Sequence, residues 1–192
     1  GLGGCISDIG THAFSLAEFV ADQHVTHLCA TLGVHIEGRQ LDDDAAMLFK
    51  MEGGVSGVLI ASQVCAGEEN PLSIRVYGDK GGLEWRQEQP ASLIHRSLEQ
   101  PMRILRSGIG QPWLCEAATQ RMRLPAGHPE GYLEAMANLY GDFAQAIRGQ
   151  VKGHTAPGVP GIETGLRGMA FIEAAIASHN SNAKWTPLEC SV

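Results

Sequence analysis

Residues 3–12 of this chain read GGCISDIGTH and place an acid, Asp8, four residues before an imidazole, His12. Four residues are about one helical turn, so the two side chains leave the same face of a helix. We predict that helix over residues 9–21, with Asp8 as its N-cap. The apolar residues that support it at helical spacing are Ile9, Ala13, Leu16, Ala17 and Val20.

A second stripe of this predicted helix is mixed in character and carries Asp8, His12, Ser15 and Phe19. We therefore expect this stripe to face a cleft rather than the core. An imidazole has an ordinary pKa near ~6.5 and can take up and return a proton at neutral pH. Taken alone, the acid is a plain helix cap and the histidine an ordinary surface or core residue.

The bulk composition excludes several classes of protein. The 192 residues carry a net charge of −7 and no cluster of Lys and Arg, which argues against nucleic acid as a partner. No apolar run reaches the ~20 residues that span a bilayer, and the sequence has no signal-peptide pattern. The five cysteines are widely spaced without a C-x-x-C pair, so we expect reduced thiols, a cytoplasmic location and no metal site.

The middle of the chain has the alternation and the turn residues of β-strands. Gly53-Gly54 predicts a tight turn between two strands, so residues 45–64 are predicted as a hairpin. Short connections predict that neighbouring strands pair antiparallel. The predicted strands cover residues 25–32, 45–51, 55–64, 72–77, 83–85, 92–96, 102–106 and 119–124.

The last third returns to helical periodicity. One helix is predicted to start near Pro129 and to end at Gly149, and another covers about residues 163–179. The order of elements predicts an α+β fold, a mostly antiparallel open sheet with helices packed on one face. Residues 54–66 show apolar residues on both sides of the strand, which indicates a homo-oligomer formed through the open sheet face.

The opening motif, followed by a helix and a meandering sheet, resembles the C-terminal domain of the Gfo/Idh/MocA oxidoreductases. Three further segments carry the resemblance along the chain: residues 74–84 (IRVYGDKGGLE), residues 127–132 (GHPEGY) and the final helix from Gly165 to Ala177. The resemblance implies a domain of the glyceraldehyde-3-phosphate-dehydrogenase-like type.

Enzymes of this family have two domains, and the N-terminal Rossmann domain binds NAD or NADP. This sequence has neither a G-x-G-x-x-G fingerprint nor the family's Glu-Lys-Pro element with its catalytic lysine. We therefore expect residues 1–192 to be a single substrate-binding and oligomerisation domain whose cofactor-binding partner domain is missing. Such a fragment should bind no NAD(P) tightly and catalyse nothing alone.

The resemblance assigns roles to individual residues. His12 matches the family's general base or acid on the substrate hydroxyl, and Asp8 matches the aspartate that positions the substrate. Ser15 stands where the inositol dehydrogenase type carries another substrate-binding aspartate, a departure from that type's polyol site. His128 and Tyr132 are further substrate-binding candidates at the start of a helix, with capping and core packing as their alternatives.

The sequence thus predicts the substrate domain of an NAD(P)-dependent dehydrogenase that moves hydride to or from a sugar or polyol carbon. Two alternatives stay open. One is a non-catalytic binding or scaffold protein with the same fold, and the other is a metal-dependent hydrolase or lyase built on Asp8 and His12.

Overall fold

A computed structural model describes residues 2–149 and 159–190 of the chain. The chain folds into two compact units, one made of residues 1–69 and 162–192 and the other of Asn70–Gly161. Each unit contains its own four-stranded sheet. The α+β class, with antiparallel open sheets and helices, is confirmed.

The first unit begins with a π-helical turn, Ile6–Gly10, that runs directly into helix α1, Thr11–Ala21. The further elements of this unit are β1 (Val25–Gly33), β2 (Asp44–Met51), β3 (Ser56–Ser62), α4 (Ile162–His179) and β8 (Thr186–Pro187). The sheet has the order β3-β2-β1-β8 and is antiparallel throughout. Helix α4 packs against β1, and the π-helical turn lies against β3.

The side chains of strand β2 alternate between a covered face and an open face of this sheet. Met47, Phe49 and Met51 alternate into the core, whereas Leu48 and Lys50 point to the opposite face and are exposed. The core is completed by α1 and α4, whose Phe14 and Phe171 rings stack with centroids 4.4 Å apart. Helices on one face of an antiparallel sheet, as predicted, describe this unit.

The predicted hairpin over residues 45–64 is present as β2 and β3. Leu48 pairs with Val58 and Ala46 with Ile60. The turn between the strands contains Gly54 with a φ of 81°, a left-handed conformation that favours glycine. The register follows from this turn and from the buried alternation of both strands.

The elements of the second unit are β4 (Ser73–Tyr77), β5 (Gly81–Arg86), β6 (Ser92–Ser97), β7 (Arg103–Arg106), α2 (Glu116–Thr119) and α3 (Tyr132–Ile147). Its sheet has the order β4-β5-β6-β7 and is antiparallel throughout. Gly81 starts β5 close to the neighbouring strand, since a Cβ there would lie 2.1 Å from the Arg96 carbonyl oxygen.

The prediction of a strand over residues 119–124 is wrong. Helix α2 occupies Glu116–Thr119, and residues 120–124 form a turn and an irregular segment. Helix α3 begins at Tyr132, later than the predicted start near Pro129, and has no buried residue. Among the described residues, no helix is long and apolar enough to cross a membrane.

Candidate active site

The start of the first helical segment is fixed by a carboxylate that lies far away in sequence. The two oxygens of Asp42 accept hydrogen bonds from the backbone N–H of Gly4 at 2.6 Å and of Ile6 at 2.8 Å. The Cys5 thiol donates to the same carboxylate at 3.1 Å. Asp42 is 8% exposed and therefore acts as a non-local cap on the helix.

Gly4 of the opening motif can approach Asp42 closely because it has no Cβ. A Cβ on Gly4 would lie 2.0 Å from the Asp42 carbonyl oxygen, which already accepts the Cys5 N–H at 2.8 Å. Burial alone would raise the pKa of the Asp42 carboxyl. The hydrogen bonds from Gly4, Ile6 and Cys5 outweigh burial and hold that pKa below its ordinary value.

Asp8 lies inside the helical segment, so its prediction as the N-cap is wrong. The segment begins at Ile6 because Asp42 binds the backbone N–H groups there. Asp8 instead belongs to the π-helical turn, a feature that occurs frequently at functional sites. Gly10 closes this turn in a buried position, where an added Cβ would come within 2.7 Å of the Ile6 side chain.

The predicted mixed stripe forms an exposed face of this helical segment. Asp8, His12 and Ser15 are all exposed, and Phe19 is 82% exposed. The carboxylate of Asp8 accepts a hydrogen bond of 2.9 Å from Nε2 of Gln63, which directly follows β3. An acid, an imidazole and a hydroxyl therefore share one accessible surface, with the acid held by an amide.

The far end of helix α1 is attached to α4 by a mostly buried ion pair. Arg167 binds the two Glu18 oxygens at 2.8 and 2.5 Å and also donates to the Val25 carbonyl at 3.0 Å. The hydrogen bonds that Arg167 donates to Glu18 raise the pKa of Arg167, so the guanidinium stays charged. Asp42 and Arg167 thus fix the two ends of the segment that carries Asp8 and His12.

His128 and Tyr132 belong to the second unit, whereas Asp8, His12 and Ser15 belong to the first. His128 is exposed in the turn before α3, and its backbone N–H donates to the Pro125 carbonyl at 3.3 Å. Tyr132 is the first residue of α3 and is 75% exposed, so the packed alternative for this side chain is wrong.

The arginines near these residues are engaged within their own unit. Arg121 pairs with Asp142 at 2.6 Å, and Arg123 donates to Asn138 at 2.7 Å. Both contacts attach residues 121–123 to helix α3. This is the physical reason why the alternating Arg-Met-Arg-Leu pattern does not form a strand.

The acidic run 42–44 is structural in the described residues. Asp43 is fully buried and accepts the N–H groups of His35 at 2.9 Å and Ile36 at 3.0 Å. Asp42 binds the start of the first helical segment and Asp44 opens β2, so the three carboxylates have different surroundings. Within residues 2–149 and 159–190, no group of three His, Cys, Asp or Glu side chains is placed to hold a metal ion.

The sequence did not reveal a cluster of charges on the second sheet. Glu84 is 3% exposed and contacts Arg75 at 3.3 Å, Arg86 at 2.9 Å and Arg96 at 2.8 Å. Hydrogen bonds from Arg86 and Arg96 hold the pKa of the Glu84 carboxyl below its ordinary value. Arg86 lies two residues from Glu84 on the same strand, whereas Arg75 and Arg96 reach Glu84 only through the pairing of β5 with its two neighbours.

Residues 2–84 match the model of the GFO/IDH/MocA C-terminal domain. An oxidoreductase from Sinorhizobium meliloti is 42% identical with a TM-score of 0.85, and the match covers 95% of this chain and 51% of that chain. An inositol dehydrogenase homolog from Azotobacter vinelandii, solved with NADH and myo-inositol, is 32% identical with a TM-score of 0.87 over 97% of this chain and 50% of that chain. The oxidoreductase YfiI of Bacillus subtilis (strain 168) is 28% identical over 188 residues, 94% of this chain and 47% of its own length.

The antiparallel sheets, the opening motif and these matches define the fold of an oxidoreductase C-terminal domain. This chain carries a GFO/IDH/MocA C-terminal domain, which confirms the resemblance read from the sequence. It spans about half the length of the relatives that it matches.

Proposed function

We propose that this chain is the substrate-binding half of an NAD(P)-dependent dehydrogenase that acts on a sugar or polyol. The observation that carries the proposal is the exposed face of Asp8, His12 and Ser15 on a helix whose start is fixed by Asp42. The complex of the Azotobacter vinelandii homolog with NADH and myo-inositol supports the substrate class.

His12 acts on the substrate hydroxyl in this proposal. During oxidation it takes the hydroxyl proton while the hydride leaves the same carbon, so that an alcohol becomes a carbonyl, and it returns the proton in the reverse direction. Asp8 accepts a hydrogen bond from the hydroxyl group and orients the substrate carbon.

The described residues do not fit a dinucleotide site. The eight strands pair only antiparallel, whereas the Rossmann motif needs a parallel βαβ unit and a glycine-rich turn that this sequence lacks. The proposal therefore places NAD or NADP, the hydride acceptor, on the part of the relatives that this chain does not match. Residues 1–192 alone should be inactive, and stoichiometric NAD(H) binding to them in calorimetry would contradict this.

Three further residues are candidates for contacts with the substrate, Ser15 in the first unit and His128 and Tyr132 in the second. Ser15 offers a hydroxyl on the same face as His12, where a sugar hydroxyl can donate or accept. His128 and Tyr132 offer an imidazole and a phenol, both exposed at the start of α3. A cytoplasmic location belongs to the same proposal, because all five cysteines are free thiols.

The test is the activity of the full-length protein on a panel of sugars and polyols, with NAD or NADP as acceptor. His12→Ala should lower kcat by about 10²–10⁴-fold, the range of general acid–base catalysis. The control is His24→Gln, an exposed histidine beyond the opposite end of α1. An unchanged kcat in His12→Ala would favour the non-catalytic scaffold instead.

We also propose that the open face of the first sheet binds a second copy of the chain. Val58 and Ile60 are 66% and 68% exposed there, next to Leu48 at 47%. Asp44 and Lys50 stand at opposite ends of β2 on this same face. In a dimer whose two-fold axis lies between the sheets and perpendicular to β2, each Asp44 would lie opposite the other copy's Lys50.

Sedimentation equilibrium tests this arrangement. Val58→Asp should convert the dimer to a monomer, because it places a charge in the centre of an apolar contact. Leu98→Asp is the control, since Leu98 is 81% exposed in the second unit and lies outside the proposed interface. A monomeric wild type, or a Val58→Asp variant that stays dimeric, would contradict the proposal.

A further inference from the structure

Gln63 connects the proposed catalytic face to the acidic segment before β2. Its side chain donates through Nε2 to Oδ2 of Asp8 at 2.9 Å. Its backbone N–H donates to the carbonyl oxygen of Asp43 at 2.8 Å. The two bonded residues lie 55 and 20 positions away in sequence. Gln63 is itself exposed, so it adds little to the core.

The same acidic segment holds the helix that carries Asp8. Asp42 binds the backbone N–H groups of Gly4 and Ile6, and the neighbouring Asp43 carbonyl binds Gln63. Asp8 is therefore held twice by residues 42–43, through its own helix and through the Gln63 amide. A carboxylate with one oxygen bonded in this way has few rotamers left, which lowers the entropy lost when a substrate binds.

The chemistry of an amide suits this position. An amide donates to a carboxylate without adding charge, whereas a lysine or arginine would also neutralise the group. Only one of the two Nε2 hydrogens is used in the bond to Asp8. The second hydrogen and the Oε1 atom belong to an exposed side chain, and both are suited to the hydroxyl groups of a sugar or polyol.

We propose that Gln63 is the positioning residue of the site: it orients the Asp8 carboxylate toward the substrate. The inference rests on the proposed function, because it assumes that Asp8 contacts the sugar or polyol. It adds that Gln63, which directly follows β3, contributes to substrate affinity through its hydrogen bond to Asp8.

The test is a double-mutant cycle between Gln63 and Asp8 in the full-length protein, with kcat and KM measured for the best sugar or polyol of the panel. Gln63→Leu removes the donor and keeps the approximate volume, so KM should rise about 10-fold, the effect of losing one hydrogen bond to a charged group. Gln63→Glu sets a second carboxylate against Asp8 and should raise KM further. Hydride transfer at saturating substrate should change less than KM in both variants.

The decisive variant reverses the hydrogen bond. In Asp8→Asn/Gln63→Glu, an amide again faces a carboxylate, with donor and acceptor exchanged, so KM should be lower than in either Asp8→Asn or Gln63→Glu alone. Independent residues would instead give effects that multiply within about two-fold, and that result overturns the inference. The control is Gln100→Glu, which adds the same charge at an exposed position of the second unit and should leave KM unchanged.

Two further outcomes separate this inference from the proposed function. If His12→Ala abolishes activity while the Gln63 and Asp8 effects simply multiply, the inference fails and the proposed function stands. If the wild-type protein oxidises no member of the panel with NAD or NADP, both fail. Far-UV circular dichroism and the urea midpoint of each variant should match the wild type, because Gln63 is exposed; a midpoint that falls together with affinity would show a structural role and overturn the inference.

Discussion

Replacing Asp42 by alanine should destabilise the first unit by an amount that the structure allows to be estimated. The carboxylate accepts two backbone hydrogen bonds, from Gly4 at 2.6 Å and Ile6 at 2.8 Å, and a weaker one from the Cys5 thiol at 3.1 Å. Hydrogen bonds to a charged group contribute ~1.5–3 kcal/mol each. Because water can replace part of them at the helix start, we expect a loss of about 3 kcal/mol rather than the full sum for the two backbone bonds.

Urea unfolding followed by circular dichroism measures this loss. Asp42→Asn keeps one acceptor oxygen and should lose an intermediate amount of stability. Asp79→Ala is the control, since Asp79 is exposed in the turn after β4, and surface changes of this kind stay within ~0.5 kcal/mol. A loss below ~1 kcal/mol in Asp42→Ala, at the low end of ordinary helix caps, would refute the account of Asp42 as the anchor of the helix.

The stability that Asp42 contributes should depend on pH, and the direction of the dependence follows from its pKa. Burial raises the pKa of the Asp42 carboxyl, but the hydrogen bonds from Gly4, Ile6 and Cys5 outweigh it and leave the pKa lowered in the folded protein. A lowered folded pKa contributes stability above the unfolded value of ~3.9, and this contribution is lost as the pH falls through the folded value. The stability difference between wild type and Asp42→Ala should therefore be constant near neutral pH and should shrink below about pH 4. A difference that does not change down to the acid transition would contradict the assignment.

Two other predictions concern ion pairs. Arg167→Met leaves Glu18 without its bidentate partner and should lower the free energy of unfolding in urea by about 2 kcal/mol. This is less than the loss of a fully buried pair, because both side chains keep some exposure. Glu18→Leu/Arg167→Met should recover part of the lost stability, and no recovery would argue against the pair. Glu84→Gln removes the counter-charge of Arg75, Arg86 and Arg96 and should lower the thermal midpoint of the second unit. The control Glu88→Gln, at an exposed neighbouring position, should leave the midpoint unchanged. Equal midpoints in the two variants would refute the role of Glu84.

Local patterns predicted the elements whose side chains repeat with a regular period. The helix through His12, the β2–β3 hairpin at Gly53-Gly54 and the final helix all depend on spacing within one segment, and each is present in the structure. The exposed stripe of Asp8, His12, Ser15 and Phe19 followed from the same helical period.

Contacts between distant segments could not be predicted in this way. Asp42 binds Ile6 across 36 positions, and Gln63 binds Asp8 across 55. No local motif marks Asp42 or Gln63 as the partner in these contacts. The first of these contacts moved the helix start away from Asp8, which made the N-cap prediction wrong. Likewise, the hydrogen bonds of residues 121–123 to α3 overrode a local strand pattern.

The charges of the second sheet illustrate the same limit. Arg75, Glu84 and Arg96 are ordinary strand residues when each segment is taken alone. They become a network only because β4, β5 and β6 pair in one particular register. The division into two four-stranded sheets also depends on pairings that no single segment specifies.

The central claim is that His12 moves the substrate proton in an NAD(P)-dependent dehydrogenase. The most direct measurement is the rate of nicotinamide reduction in a single turnover of the full-length enzyme at saturating sugar or polyol, because it isolates the chemical step from binding and product release. We predict that His12→Ala slows this step by about 10²–10⁴-fold while His24→Gln leaves it unchanged. A His12→Ala variant that reduces the cofactor at the wild-type rate would contradict the account.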